Sequence, residues 1–156
     1  MKNKDVERAI SHLEIGRKTC LKLIANVPHE QLVKIPQGFN NSIMWNVAHL
    51  LVTQQLLNYK LSGLPLHISD KLVSDFGKGS AARNDYSVES WQDILLLFLE
   101  MPRKLKSDYE SGLFKNFKEY PTSFGVTLNT IEDSIAFNGI HEGLHIGYIM
   151  ALKRAL

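Results

Sequence analysis

The pentapeptide His141-Glu142-Gly143-Leu144-His145 is the stretch of this chain best suited to chemistry. Two histidines at i and i+4 lie one turn apart on the same side of an α-helix, so their imidazoles can converge on one metal ion. His-Glu-x-x-His on a helix is the signature of zinc proteases, in which the Glu acts as general base. The same spacing serves other metal sites in helix bundles, so it points to a metal before it points to a reaction. A catalytic zinc-type site takes three protein ligands and keeps one position open. A protease of this type draws its third ligand from beyond the second histidine. Here the residues after His145, Ile146 to Leu156, contain no His, Asp, Glu or Cys. The third ligand must come from upstream, which argues against peptide hydrolysis.

Four histidines lie upstream: His12, His29, His49 and His67. His12 flanks the stripe of a first helix, and His29 and His67 fall in connections. Only His49 projects from an apolar face in the middle of a core helix, so His49, His141 and His145 form the economical triad. Three neutral imidazoles suit a divalent ion, with Zn, Ni or Fe ahead of Co or Cu. Glu142 has two readings: a catalytic group that takes a proton or orients a ligand, or a carboxylate in a helix salt bridge. Asn138, one turn before His141, is a candidate for a supporting hydrogen bond. Trp45 and Tyr59 are expected to pack the pocket wall.

The elements that must position these residues are helical. Val6, Ile10, Leu13, Cys20 and Ile24 recur at three- and four-residue spacing and predict a first helix over about 4–26, with Arg17 away from the stripe. Cys20 falls on that stripe as a buried, inert thiol. Asn41 or Ser42 caps a second helix running to about Ser62, with Gly63 and Pro65 as stop signals. Its faces are Trp45, His49, Val52, Leu56 and Tyr59 on one side and Val47, Leu50, Leu51, Leu57 and Leu61 on the other, so it is apolar nearly all round and central. A long crossover over 64–87 holds a short helix from Ser69 to Phe76. Its Gly77-Lys78-Gly79-Ser80 turn lacks the strand and the full pattern of a phosphate loop.

Ser87 caps a third helix over 88–111, in which Met101-Pro102 predicts a kink or an early end near Glu100. The aromatic connection 112–128 suggests a turn or hairpin over one bundle end. Asn129 opens the fourth helix, with Glu132 as its capping partner. Along that helix Gly139, Gly143, Gly147 and Ala151 form a row of small residues suited to close approach by another backbone. The expectation is one all-α domain over 1–156, a four-helix bundle with at least one crossover.

Composition removes other classes. With 18 basic and 16 acidic residues, a net charge of +2 and no basic stripe, the chain has no electrostatic footprint for nucleic acid. No apolar run is long enough to cross a membrane, and the N-terminal charges lack the apolar segment of a signal peptide. One cysteine permits no internal disulfide, so the cytoplasm is the expected compartment.

The segments Asn41-Ser42-Ile43-Met44-Trp45-Asn46-Val47-Ala48-His49-Leu50 and His141-Glu142-Gly143-Leu144-His145-Ile146-Gly147 together resemble the DinB-like superfamily of metalloenzymes. The resemblance runs over nearly the whole chain, including Phe76-Gly77 ahead of Tyr86-Ser87. It implies a bundle of up-down-down-up order with the long crossover between helices 2 and 3. It also implies a divalent metal held by His49, His141 and His145, and a homodimer. Characterised relatives include transferases and isomerases that use a low-molecular-weight thiol such as bacillithiol, mycothiol or glutathione. Tyr148 departs from the Gln that members often carry, which puts one supporting hydrogen bond in doubt. The resulting expectation is a thiol-activating, transferase-like metal enzyme acting on a small molecule. Its alternatives are a metal-dependent hydrolase using Glu142 as base, and a non-catalytic, dimeric bundle binding a metal or ligand.

Overall fold

The computed structural model describes residues 3–156; Met1 and Lys2, which open the charged N-terminal run, lie outside the described residues. The elements are α1 (Asn3–Ile24), α2 (His29–Leu32), α3 (Ile43–Gln54), α4 (Asp70–Phe76), α5 (Val88–Glu110), a hairpin of β1 (Tyr120–Pro121) and β2 (Thr127–Leu128), and α6 (Ile131–Ala155). A π-helical segment, Gln55–Lys60, continues α3 directly. The chain is therefore all-α apart from one short hairpin. Among the four long helices, α1 and α3 each pack against both α5 and α6. No helix among the described residues is long and apolar enough to cross a membrane.

Burial follows the apolar periodicity. On α1 the buried positions are Val6, Ile10, Leu13, Arg17, Cys20 and Ile24, a continuous stripe at three- and four-residue steps. Arg17 belongs to that stripe and is fully buried, contrary to the outward placement its charge suggests. Every residue of α3 except Thr53 is buried, as a central helix requires. Its start is set by Ser42, whose Oγ accepts from the Trp45 N–H at 3.1 Å.

The helical readings need three corrections. First, α5 does not end near Glu100 but continues through Pro102 to Glu110, because Met101, Pro102 and Leu105 are buried and packing outweighs one forfeited backbone bond. Second, the capping box of α6 sits one residue later than the Asn129–Glu132 pair. Thr130 Oγ1 accepts from Asp133 N at 3.1 Å while the Asp133 carboxylate accepts from Thr130 N at 3.1 Å. Glu132 instead accepts from the Tyr109 hydroxyl on α5 at 2.8 Å.

The third correction concerns the end of α3. Its last turns widen to i→i+5 bonding, with Leu61 N donating to Leu56 O at 3.3 Å. In α-helical geometry Leu56 and Leu61 would point about 140° apart. The wider turns bring Leu56, Leu57, Lys60 and Leu61 to one side and swing Tyr59 away from it. Tyr59 is buried with Val6, Ile10 and Leu105, and its hydroxyl donates to Asp108 at 2.7 Å. It does not pack the pocket wall.

Among the described residues, nothing lies over the glycines of the small-residue row of α6. Gly139, Gly143 and Gly147 have no atom within 4 Å of where a Cβ would stand, and Ile140 and Leu144 beside them are exposed.

Candidate metal centre

His49, His141 and His145 come together: one ligand atom from each lies within 4.8 Å of the others. The ring centroids are 5.3 Å apart for His49 and His141, 4.9 Å for His49 and His145, and 4.5 Å for His141 and His145. The last pair meets by helical spacing alone. His49 is brought to it by the packing of α3 on α6.

Each of two imidazoles is fixed by a hydrogen bond on its far nitrogen. His49 Nδ1 donates to the carbonyl of Phe76 at 2.7 Å. A carbonyl only accepts, so the proton of His49 sits on Nδ1 and the lone pair on Nε2. That carbonyl belongs to the last turn of α4, where helix carbonyls lack intrahelical donors. Trp45, one turn before His49, stacks on its ring at 4.6 Å with planes 9° apart. The indole N–H donates to Ser80 Oγ at 3.1 Å, and that hydroxyl donates to Asp75 O at 2.8 Å. The crossover thus clamps both rings.

His145 Nδ1 donates to Asn46 Oδ1 at 2.7 Å. The amide of Asn46 is oriented for this, since its Nδ2 donates to Asn41 Oδ1 and to Ser42 O, both at 2.8 Å. His145 therefore also carries its proton on Nδ1 and frees Nε2. Supporting partners of this kind orient metal-ligating histidines. Nδ1 of His141 is buried and has no hydrogen-bond partner among the described residues. Two lone pairs facing inward and one orphaned ring nitrogen fit a metal ion.

The imidazoles are also kept neutral. Burial pushes His141 down to about 3, assisted by the neighbouring His145 and His49. His145 falls to about 4 through burial and then His49. His49 is lowered as well, by burial, against the opposing effect of its bond to Phe76. Neutral rings offer lone pairs to a metal without first losing a proton.

Glu142 does not join the three. Its carboxylate accepts from Arg17 Nη2 at 2.6 Å and from Nε at 3.1 and 3.2 Å, with both side chains buried. Arg17 Nη1 donates to Phe98 O at 2.7 Å, so the pair links α1, α5 and α6. This is the salt-bridge reading of Glu142, made between helices rather than within one. Burial raises the Glu142 carboxyl above its ordinary range, and the guanidinium opposes that rise. Cys20 lies beside the pair and is inert, its thiol pushed up to about 12 by burial and by Glu142.

A cavity of about 290 Å³ opens beside His49 and His141. Leu56, Leu57 and Leu61 form one wall, and Phe137 of α6 with Phe124 forms another. Thr122, Ser123 and Phe124 belong to the turn between β1 and β2, so the expected hairpin of the aromatic connection also lines this cavity. Thr53 also lines the cavity, and its hydroxyl lies 3.3 Å from the lone-pair nitrogen of His49.

The remaining candidates lie elsewhere. His12 is exposed, His29 Nε2 meets Tyr86 O at 2.8 Å, and His67 packs edge-on against Tyr59 at 4.7 Å. Asn138 is fully buried with neither amide atom bonded, so it supports no imidazole. Tyr148 turns its ring to Phe39 at 5.4 Å. Sequence reasoning overlooked Asn46 and Arg17. A signal existed for both: an amide inside an otherwise apolar helix, and an arginine at the four-three-four spacing of Leu13, Cys20 and Ile24.

Comparison with known proteins agrees with this geometry. A family model described as the DinB superfamily matches residues 12–149, most of the chain. No curated protein matches the chain.

Two measurements probe the site. Glu142→Gln leaves the buried Arg17 charge under-paired and is expected to lower unfolding stability by about 3 kcal/mol, read from urea melts, while metal content holds. Unchanged stability would contradict the structural role. The second is pH dependence. The unfolded chain protonates its histidines below about pH 6.5, whereas the folded sites resist down to about 4 and 3. Unfolding therefore takes up protons, and the melting temperature of metal-free protein is expected to fall from pH 7 to 5. The His141→Gln, His145→Gln double variant should show a shallower fall, and an identical slope would refute the depressed values.

Proposed function

This chain belongs to the DinB superfamily, and on that footing we propose that it is a metal-dependent enzyme acting on a small organic substrate, with a divalent ion held by His49, His141 and His145. The observation that carries this reading is the meeting of three imidazoles at the edge of a largely apolar pocket. Such a site holds an ion and leaves one side open to a ligand. Zn, Ni or Fe suits the donor set. When bound, the ion supplies Lewis acidity that favours the ionised form of a thiol or a water at neutral pH.

The protein's own residues do the rest. Phe76 O and Asn46 hold His49 and His145 in one tautomer each. Leu56, Leu57, Phe124 and Phe137 keep water from a bound substrate. The Thr53 hydroxyl donates to the lone pair of His49 at 3.3 Å and lines the same pocket.

Activation of a low-molecular-weight thiol, as in an S-transferase, is the preferred chemistry. A hydrolase needs a base for its water, and Glu142 is committed to Arg17 while no carboxylate lines the cavity. A storage or sensor module would not need a substrate-sized pocket against the imidazoles. The four packed helices support an up-down-down-up bundle with its crossover between the second and third. The uncovered Gly139, Gly143 and Gly147 row, with exposed Ile140 and Leu144, supports a second copy of the chain as partner. A cytoplasmic location suits the single, unpaired Cys20.

Metal analysis of purified protein alongside His49→Ala and His145→Ala tests the site: about one ion per chain is expected, lost in both variants. The same preparations are then assayed for conjugation of an electrophilic dye to a panel of small thiols. Metal-dependent turnover with at least one thiol is expected. Wild-type metal content in the variants would remove the site, and no turnover with any thiol would remove the transferase reading.

A further inference from the structure

The pocket beside the imidazoles has a charge pattern that metal binding leaves unused. Two lysines, Lys60 and Lys78, line it, and no acidic residue does. Neither lysine is ion-paired with a carboxylate among the described residues. The chain as a whole is near neutral at +2, so the excess is local.

The two lysines reach the pocket from separate elements. Lys60 ends the π-helical segment and lines the same cavity as Leu56 and Leu61. Lys78 follows α4 in the turn that Ser80 ties to both Asp75 and Trp45. The clamp that seats Trp45 on His49 thus also holds the segment carrying Lys78. Lys60 stands one turn beyond Leu56, so the two side chains share a face of the helix, and π-helical turns recur at functional sites.

Size and polarity narrow the ligand. About 290 Å³ is at the small end of ligand pockets. The walls are mostly aliphatic and aromatic, which suits an apolar body, while an ammonium facing them gains most from a charge-assisted hydrogen bond. Lys60 lies eleven residues beyond His49. That spacing puts it roughly 15 Å further along the helix. Lys60 and the imidazoles are therefore at different ends of the space, while Lys78 enters it from the turn that follows Phe76, beside His49.

We infer that the pocket takes a small organic anion, a carboxylate at one end of an apolar body, with Lys60 holding the carboxylate, Lys78 adding to the positive field of the pocket, and the other end turned toward His49 and His141. What happens at the imidazoles rests on the enzyme reading above; the anchoring does not. The ligand's charge sets its direction in the site. A substrate without that charge would fit the walls but lose its orientation.

Titration calorimetry with 4-phenylbutyrate and its neutral isostere 4-phenylbutanamide tests this on metal-loaded and chelator-treated protein, with metal content measured on the same samples. The carboxylate is expected to bind about tenfold more tightly than the amide in both forms, a preference that added salt weakens. The Lys60→Met, Lys78→Met double variant, which keeps the apolar stems, should lose the preference. Equal binding of acid and amide, a preference that survives in the double variant, or no binding of either at millimolar concentration would overturn the proposal. A preference seen only with metal and indifferent to the lysines would place the carboxylate on the ion. That result overturns the anchoring and leaves the metal site standing. Absence of metal would defeat the enzyme reading, yet the chelated protein would still test the lysines.

Discussion

A buried guanidinium and a buried carboxylate, Arg17 and Glu142, hold the helices of this protein in register. Neither can be left alone in an apolar interior, because an unpaired charge there is far more costly than an ordinary packing defect. Since Arg17 also donates to Phe98 O, α1, α5 and α6 have one mutual arrangement that satisfies every hydrogen bond of the guanidinium's engaged edge. Glu142 stands between His141 and His145 in sequence and about 60–100° from them around the helix. Turning Glu142 toward α1 therefore turns both histidines toward α3. The carboxylate that first suggests a catalytic base is engaged by Arg17, and its direction fixes that of both imidazoles.

A second layer of hydrogen bonds converts three nearby rings into a donor set. The crossover between α3 and α5 looks like connecting chain, yet its short helix ends on the carbonyl that sets the His49 tautomer. Its Ser80 secures the indole stacked on that same ring. On α3 itself, Asn46 performs the equivalent task for His145, and the backbone at the helix start orients Asn46 in turn. The imidazoles are thus neutral, directed and partly shielded before any ligand arrives. Preorganisation of this kind spares a bound group the loss of several rotamers.

The triad was legible because helical periodicity is a strong local signal. His141 and His145 meet by spacing, and His49 was the one upstream histidine on a core face. The hairpin of the connection 112–128 was legible from its aromatic and glycine content, though not that its turn borders the cavity, and the burial of Cys20 from its place on a stripe. The capping box slipped by one residue because Asn129–Glu132 and Thr130–Asp133 satisfy the same pattern, and only tertiary contact with Tyr109 separates them. The π-helical turns left no local mark. They arise where the end of α3 must present leucines to the cavity and Tyr59 to Asp108 at once, so Tyr59 was assigned to the wrong wall. Arg17 was misplaced because its charge was given more weight than its spacing.

The most direct test of the central claim is to load the chelator-treated protein with zinc and locate the ion by anomalous scattering in crystals. Three imidazole nitrogens, from His49, His141 and His145, are expected at about 2.0–2.1 Å from one ion, with a position open toward the leucine-lined cavity. An ion held by Glu142, by only two of these histidines, or at another place in the molecule would contradict it.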